Sequence, residues 1–189
     1  MELLGISGSL RRDSYNTLLL RTAGELLPDG VRLTVWDGLK AVPPYDEDDD
    51  VEQAPPAVAA LRAAVAGADA LLLTTPEYNS SLPGQLKNAL DWLSRPLATN
   101  PARNKPVAVA GASTGVFGGV WAQAELRKVL AALGARVLQA DLPVGSAAER
   151  FDAAGLVDER LREQLAAHLT ALVALVEEAR AAAATAVAA

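Results

Sequence analysis

The stretch Gly5-Ile6-Ser7-Gly8-Ser9-Leu10-Arg11-Arg12-Asp13-Ser14-Tyr15-Asn16-Thr17 decides the fold. A short apolar run, Leu3 to Ile6, precedes it, and a helical pattern of Leu18, Leu19, Ala23, Leu26 and Leu27 follows. A strand, a small-residue loop and a helix start in that order predict a βα unit. Backbone N–H groups at the start of a helix have no internal partner, so such a loop is a ready anion site. Gly8 is read as a point where backbone approaches a ligand. Ser9, Ser14, Asn16 and Thr17 supply short hydroxyl or amide groups, and Arg11 supplies a planar cation suited to phosphate oxygens. The plainer alternative is a polar loop with an N-capped helix.

The spacing fits neither common nucleotide fingerprint. No third glycine completes G-x-G-x-x-G, and G-x-x-x-x-G-K-[ST] is absent. A hydroxyl-rich loop with no metal partner suits one phosphate monoester, which points away from ATP and toward flavin mononucleotide (FMN) or a similar ligand.

Working outward, strands alternate with helices. Val31–Trp36 alternates apolar and polar residues and reads as a sheet edge. Ala68–Thr75 contains the unbroken run Ala70-Leu71-Leu72-Leu73, expected of a central strand buried on both faces. Val107–Ala112 and Arg136–Leu142 read as the fourth and fifth strands. Helices are expected around Val58–Val65, Leu86–Leu93, Ala122–Leu133 and Leu161–Val176, and Leu142–Gly155 as an irregular connection. These units predict an α/β fold, a flavodoxin-like doubly wound five-stranded parallel sheet with helices on both faces. The single-phosphate loop after the first strand favours the order 2-1-3-4-5. One domain over residues 1–189 is expected, its alanine-rich tail 179–189 either extending the last helix or fraying.

Composition narrows the chemistry. The chain has no cysteine and one histidine, which excludes thiol nucleophiles, Fe–S clusters and multi-histidine metal centres. A net charge of −6 argues against a nucleic-acid partner. No signal pattern or long apolar run is found, so a cytoplasmic protein without membrane association is expected. The acidic run Asp46–Asp50 reads as a solvated loop.

In a doubly wound sheet, ligands sit beyond the carboxyl ends of the strands. Two further loops belong there. Thr75-Pro76-Glu77-Tyr78-Asn79-Ser80-Ser81-Leu82-Pro83-Gly84 has prolines to fix its shape and a ring to stack on a planar heterocycle. Gly111-Ala112-Ser113-Thr114-Gly115-Val116-Phe117-Gly118-Gly119 is rich in glycine, read as permitting close backbone approach.

These motifs carry a specific resemblance. With G-S-L-R-x-x-S-x-N at Gly8–Asn16, P-E-Y-N at Pro76–Asn79 and G-A-S-x-G-x-x-G-G at Gly111–Gly119, the chain resembles the NADPH-dependent FMN reductases, flavodoxin-like quinone, azo-dye and chromate reductases. The resemblance implies that Ser9, Arg11, Ser14, Asn16 and Thr17 hold the FMN phosphate. It implies that Pro76, Glu77, Tyr78 and Asn79 line the isoalloxazine ring, with Ser113 and Gly115 on its other side. It further implies an NADPH or NADH donor, a quinone or similar small acceptor taken in ping-pong order, and a homodimer or homotetramer. Where many relatives carry Arg, Tyr and His after the third motif, this chain reads Val120-Trp121-Ala122-Gln123-Ala124-Glu125.

No side chain is assigned as a catalytic acid or base, because a flavin carries the hydride chemistry itself. The main rival is a flavodoxin-type electron carrier that binds FMN without reacting with NAD(P)H. A serine hydrolase built on Ser7 or Ser9 lacks a nearby base, and a non-catalytic ligand sensor is a further alternative. His168 is expected to be a packed histidine, and Glu77 to serve structure more than proton transfer. Trp121 is expected on the polar side of its helix at a subunit interface or site rim, with Trp92 at the same interface.

Overall fold

The computed structural model describes residues 1–51 and 53–188. Its strands are β1 (Glu2–Ser7), β2 (Arg32–Trp36), β3 (Ala70–Thr74), β4 (Pro106–Ala112), β5 (Arg136–Val137) and β6 (Pro143–Val144). Its helices are α1 (Tyr15–Glu25), α2 (Pro56–Gly67), α3 (Gly84–Leu93), α4 (Val120–Ala132), α5 (Ala147–Arg150) and α6 (Glu159–Ala188). All strand pairs are parallel, in the order β2-β1-β3-β4-β5, with β6 also on β4. The order reverses between β1 and β3, and this switch point sets where a ligand can enter.

Alternation along the strands sorts residues onto two unlike faces. Leu4, Ile6, Leu71, Leu73, Val107 and Val109 face α2, α3 and α4. Leu3, Ala70, Leu72, Ala108, Ala110 and Ala112 face α1 and α6. The second face is built of small residues, so α1 sits close. A Cβ placed on Gly5 would lie 3.2 Å from Leu20 of α1. Helix α6 supplies Leu165, Leu169, Leu172 and Val176 to the same layer and continues through the alanine-rich tail to Ala188.

Two expectations are corrected. The fifth strand is not continuous over Arg136–Leu142. It pairs with β4 only at Arg136 and Val137, and β4 is met again by Pro143 and Val144. Between them Gln139 and Asp141 turn to polar partners, Asp141 pairing with Arg127. The Leu142 N–H leaves the ladder for the Gln123 side chain at 3.1 Å. The connection read as irregular therefore contains β6 and the single-turn α5.

Trp92 is fully buried rather than at an interface. Its Nε1 donates to the Pro43 carbonyl at 2.9 Å, and its ring meets Tyr45 edge-on at 4.9 Å. Asn88 Nδ2 shares the Pro43 carbonyl, and Gln85 donates to the carbonyls of Leu39 and Val42. These polar residues of α3 anchor the loop after β2, whose Asp46–Asp49 stay exposed while Asp50 pairs with Arg62 at 2.9 Å. Trp92→Ala is expected to destabilise the fold by about 3–5 kcal/mol, the usual cost of emptying a large aromatic site. Urea denaturation checks this.

His168 on α6 is packed, as expected, and its Nε2 has no hydrogen-bond partner among the described residues. Burial holds its pKa below the ordinary value, while the Val109 backbone and the Asp141 carboxylate pull the other way and lose. The unfolded chain thus binds a proton at a higher pH than the folded one. The His168 contribution is constant above pH ~6.5 and declines as the pH falls from there toward the folded pKa. His168→Gln is expected to flatten that part of a stability–pH profile measured by chemical denaturation.

Candidate functional site

Three loops leave the carboxyl ends of β1, β3 and β4, and buried hydrogen bonds tie them into one rim. Asn16, in the first turn of α1, is the centre of the tie. Its Nδ2 donates to the Ala112 carbonyl at 2.9 Å, and its Oδ1 accepts from the Ala112 N–H at 3.0 Å. The Thr74 hydroxyl at the end of β3 donates to the Asn16 carbonyl at 3.0 Å. One residue thereby fixes the start of α1 to the ends of β3 and β4. Both polar atoms of the Asn16 side chain are engaged inward, so it positions the loop.

Ser14 caps α1, its Oγ accepting from the Asn16 and Thr17 N–H groups at 3.2 and 3.3 Å. The Ser7 hydroxyl accepts from the Ser9 N–H and from Thr17 Oγ1. Ser9, Ser14 and Thr17 thus line one small turn, and Arg11 stands exposed at its edge with its guanidinium 5.1 Å from the Tyr15 ring centroid. Among the described residues, the backbone N–H groups of Leu10 to Ser14 find no acceptor within the chain. A row of unpaired donors, a helix start and a cation fit a phosphate monoester.

Gly8 has a different role from the one its sequence suggested. Its N–H donates to the Thr74 carbonyl at 2.7 Å, and a Cβ there would lie 2.9 Å from Leu86 Cδ2. A side chain at this position would have to displace the end of Leu86 of α3.

In the second loop, Pro76 is buried, and the chain reverses at Tyr78-Asn79-Ser80-Ser81. Tyr78 and Ser81 exchange backbone hydrogen bonds of 3.0 and 3.1 Å around Asn79 and Ser80, which both have positive φ, 52° and 60°. That is the two-residue hairpin geometry that asparagine tolerates well. Glu77 serves structure, as expected. Its Oε2 accepts from the N–H groups of Trp121 and Ala122 at 3.0 and 3.1 Å, capping α4 from a different loop. Helix α4 begins at Gly119, which has no capping side chain, and a carboxylate suits a helix start. Ser81 also bonds Glu125 of α4.

The third loop rests on the segment after β6. Ser113 and Gly115 exchange backbone bonds with Val144, Ser146 and Ala147, and the Ser113 Oγ accepts from the Gly115 N–H at 3.2 Å. A Cβ on Gly145 would lie 2.0 Å from the Val116 carbonyl. The close approach allowed by these glycines is between two backbone segments of the chain itself. Val116, Phe117 and Trp121 project outward, 79%, 63% and 49% exposed, with Phe117 and Trp121 rings 5.1 Å apart. Tyr78, 54% exposed, belongs to the adjoining loop. Sequence reasoning missed Ser7, Thr74 and Gln123. Gln123 is fully buried on α4 and joins the Gly118 carbonyl to the Leu142 N–H. A glutamine beside alanines carries no local mark of such a role.

A flavodoxin-like sheet with a loop suited to a phosphate monoester at its switch point and a polar–aromatic loop beside it fits the class of FMN-binding proteins. The sequence profile of the NADPH-dependent FMN reductases matches residues 1–149. The chain is 44% identical over 174 residues to an NAD(P)H-dependent FMN reductase of Pseudomonas aeruginosa, covering 91% of this chain and 93% of that protein. It is 40% identical over 139 residues to a quinone reductase of Escherichia coli strain K12, covering 73% of each. Among solved structures, FerB of Paracoccus denitrificans, a flavoenzyme NAD(P)H:(acceptor) oxidoreductase, superposes with a TM-score of 0.83 at 33% identity, covering 94% of this chain and 97% of FerB. The chain belongs to the NADPH-dependent FMN reductase family.

Arg11→Ala is expected to weaken FMN binding by about 1.5–3 kcal/mol, the worth of a charged hydrogen bond, with the melting temperature of the flavin-free protein unchanged. Asn16→Ala leaves the Ala112 N–H and carbonyl unpaired in the interior, and is expected to lower stability by about 2–3 kcal/mol. Fluorescence titration with FMN and thermal denaturation separate the two.

Proposed function

We propose that the chain is an FMN-dependent NAD(P)H oxidoreductase that reduces quinones or similar acceptors, acting as a single FMN-binding domain. The observation that carries this reading is the run of N–H donors from Leu10 to Ser14, unpaired among the described residues, with Arg11 within it at the start of α1. Ser9, Arg11, Ser14 and Thr17 would hold the phosphate. Pro76, Glu77, Tyr78 and Asn79 would line the ring, with Ser113 and Gly115 opposite. Bound FMN would supply the hydride-accepting and electron-donating chemistry.

What the chain's own residues contribute is position. Asn16 and Thr74 hold the loops in register, Glu77 keeps α4 at the rim, and Tyr78 offers an aromatic wall. Donor and acceptor would occupy the same space in turn, in ping-pong order. The relatives named for NAD(P)H and quinone reactions support this over an electron carrier that needs a protein donor. The cytoplasm, where NAD(P)H is supplied, is the compartment we assign. Among the described residues no helix is long and apolar enough to cross a membrane.

The exposed Val116, Phe117 and Trp121 sit at the rim of the site, and we assign them to a contact between copies of the chain in a homodimer or homotetramer. Aromatic side chains are enriched in such contacts. Trp121→Ala is expected to shift the oligomer toward smaller species in analytical ultracentrifugation while FMN affinity stays at the wild-type value.

An anaerobic absorbance titration tests the reaction. NADPH or NADH is expected to bleach the flavin band of FMN-loaded protein without a partner protein, and a quinone to restore it. Bound flavin left oxidised by both nucleotides would return the electron-carrier reading.

A further inference from the structure

A cavity of about 440 Å³ lies on the outer side of the α1 N-terminus, lined by Arg11, Arg12, Tyr15, Arg21 and Phe151. Ser14 and Thr17 also border it, so it opens directly off the phosphate cradle. Its size falls within the range of small-molecule sites. Asp13 and Asp152 also line it, two carboxylates beside three arginines. One Asp152 oxygen is engaged by the N–H groups of Ala154 and Gly155 at 2.7 and 3.1 Å. At its side the half-buried Tyr15 packs on the buried Phe151, ring centroids 5.4 Å apart, with the Arg11 guanidinium over the Tyr15 ring. In a chain of net charge −6, this concentration of arginine beside aromatic rings is a local exception.

Of the three arginines, only Arg11 belongs to the phosphate cradle. Arg12 and Arg21 are exposed and are not among the residues assigned to the FMN phosphate. We propose that this cavity receives the 2′-phosphorylated adenosine of NADPH, with Arg12 and Arg21 selecting NADPH over NADH. The proposal rests on the reductase reading above. A phosphate monoester carries close to two negative charges and three acceptor oxygens, which suits two guanidinium forks. An adenine has a flat face for the Tyr15–Phe151 wall. NADH would place an uncharged hydroxyl against the same two cations and forgo those charge-assisted bonds.

The test compares Arg12→Ala, Arg21→Ala and the double variant with the wild type in steady-state kinetics of the FMN-loaded protein. The wild type is expected to favour NADPH. In the double variant KM for NADPH is expected to rise about tenfold or more, the loss of at least one charged hydrogen bond. The kcat, the KM for NADH and the FMN affinity are expected to hold. Calorimetric titration of the full chain with adenosine 2′,5′-bisphosphate and with 5′-AMP gives a readout independent of turnover. The bisphosphate is expected to bind more tightly to the wild type, and the double variant to lose that preference. An unchanged NADPH-to-NADH ratio, or equal binding of the two adenosine phosphates to the wild type, overturns the proposal. A fall in FMN affinity in the double variant also overturns it, by assigning the cavity to the flavin's own phosphate. If neither nucleotide reduces wild-type FMN, the reductase reading fails, and the bisphosphate titration alone decides what the cavity holds.

Discussion

The site depends on the pair of hydrogen bonds between the Asn16 side chain and the backbone of Ala112. They join a helix start to the end of a strand 96 residues away, inside a region closed to water. Their strength is ordinary. Their consequence is not, because an unmade bond there strands a buried donor and a buried acceptor. With Thr74 bonded to the Asn16 carbonyl, the three loops cannot drift apart without exposing those groups. Among the described residues, the N–H groups from Leu10 to Ser14 then have no acceptor, the arrangement that suits an anion.

The same economy runs through the sheet. Ala70, Ala108, Ala110 and Ala112, with Leu3 and Leu72, face α1 and α6, and Leu4, Ile6, Leu71, Leu73, Val107 and Val109 face the other helices. Small residues on one face let α1 lie close to the sheet, which brings Asn16 within bonding distance of β4. On the opposite face α3 presses Leu86 against Gly8, so the loop is shaped from below as well as from the side. Glu77 completes the frame by capping α4 across the rim. Rigid elements placed in this way leave binding to loops while the scaffold carries the stability.

Much of this was legible in the chain itself, and the reason is locality. Apolar runs and the alternation of strand and helix are short-range signals, and they indicated the buried β3 and the edge strand β2, while the loop after β1 indicated the strand order. The three loop motifs are likewise contiguous, so their presence and their meeting at one end of the sheet could be read. The split of the fifth strand could not, because Val137 and Leu142 look alike locally and differ only in what lies beside them. Trp92, amid the polar residues of α3, looked exposed until the loop after β2 folded over it.

By itself, then, the sequence determined the class of fold, the kind of anion and the family. Only the tertiary structure decided which partner each polar residue bonds. Asn16 and Ser14 are equally polar neighbours, yet one is turned to Ala112 and the other to the first turn of its own helix. Gly8 and Gly145 are spaced by side chains and backbone far away in the chain. Hydrogen-bond satisfaction and close packing are settled by whatever the fold brings near, and no window of neighbouring residues contains that information.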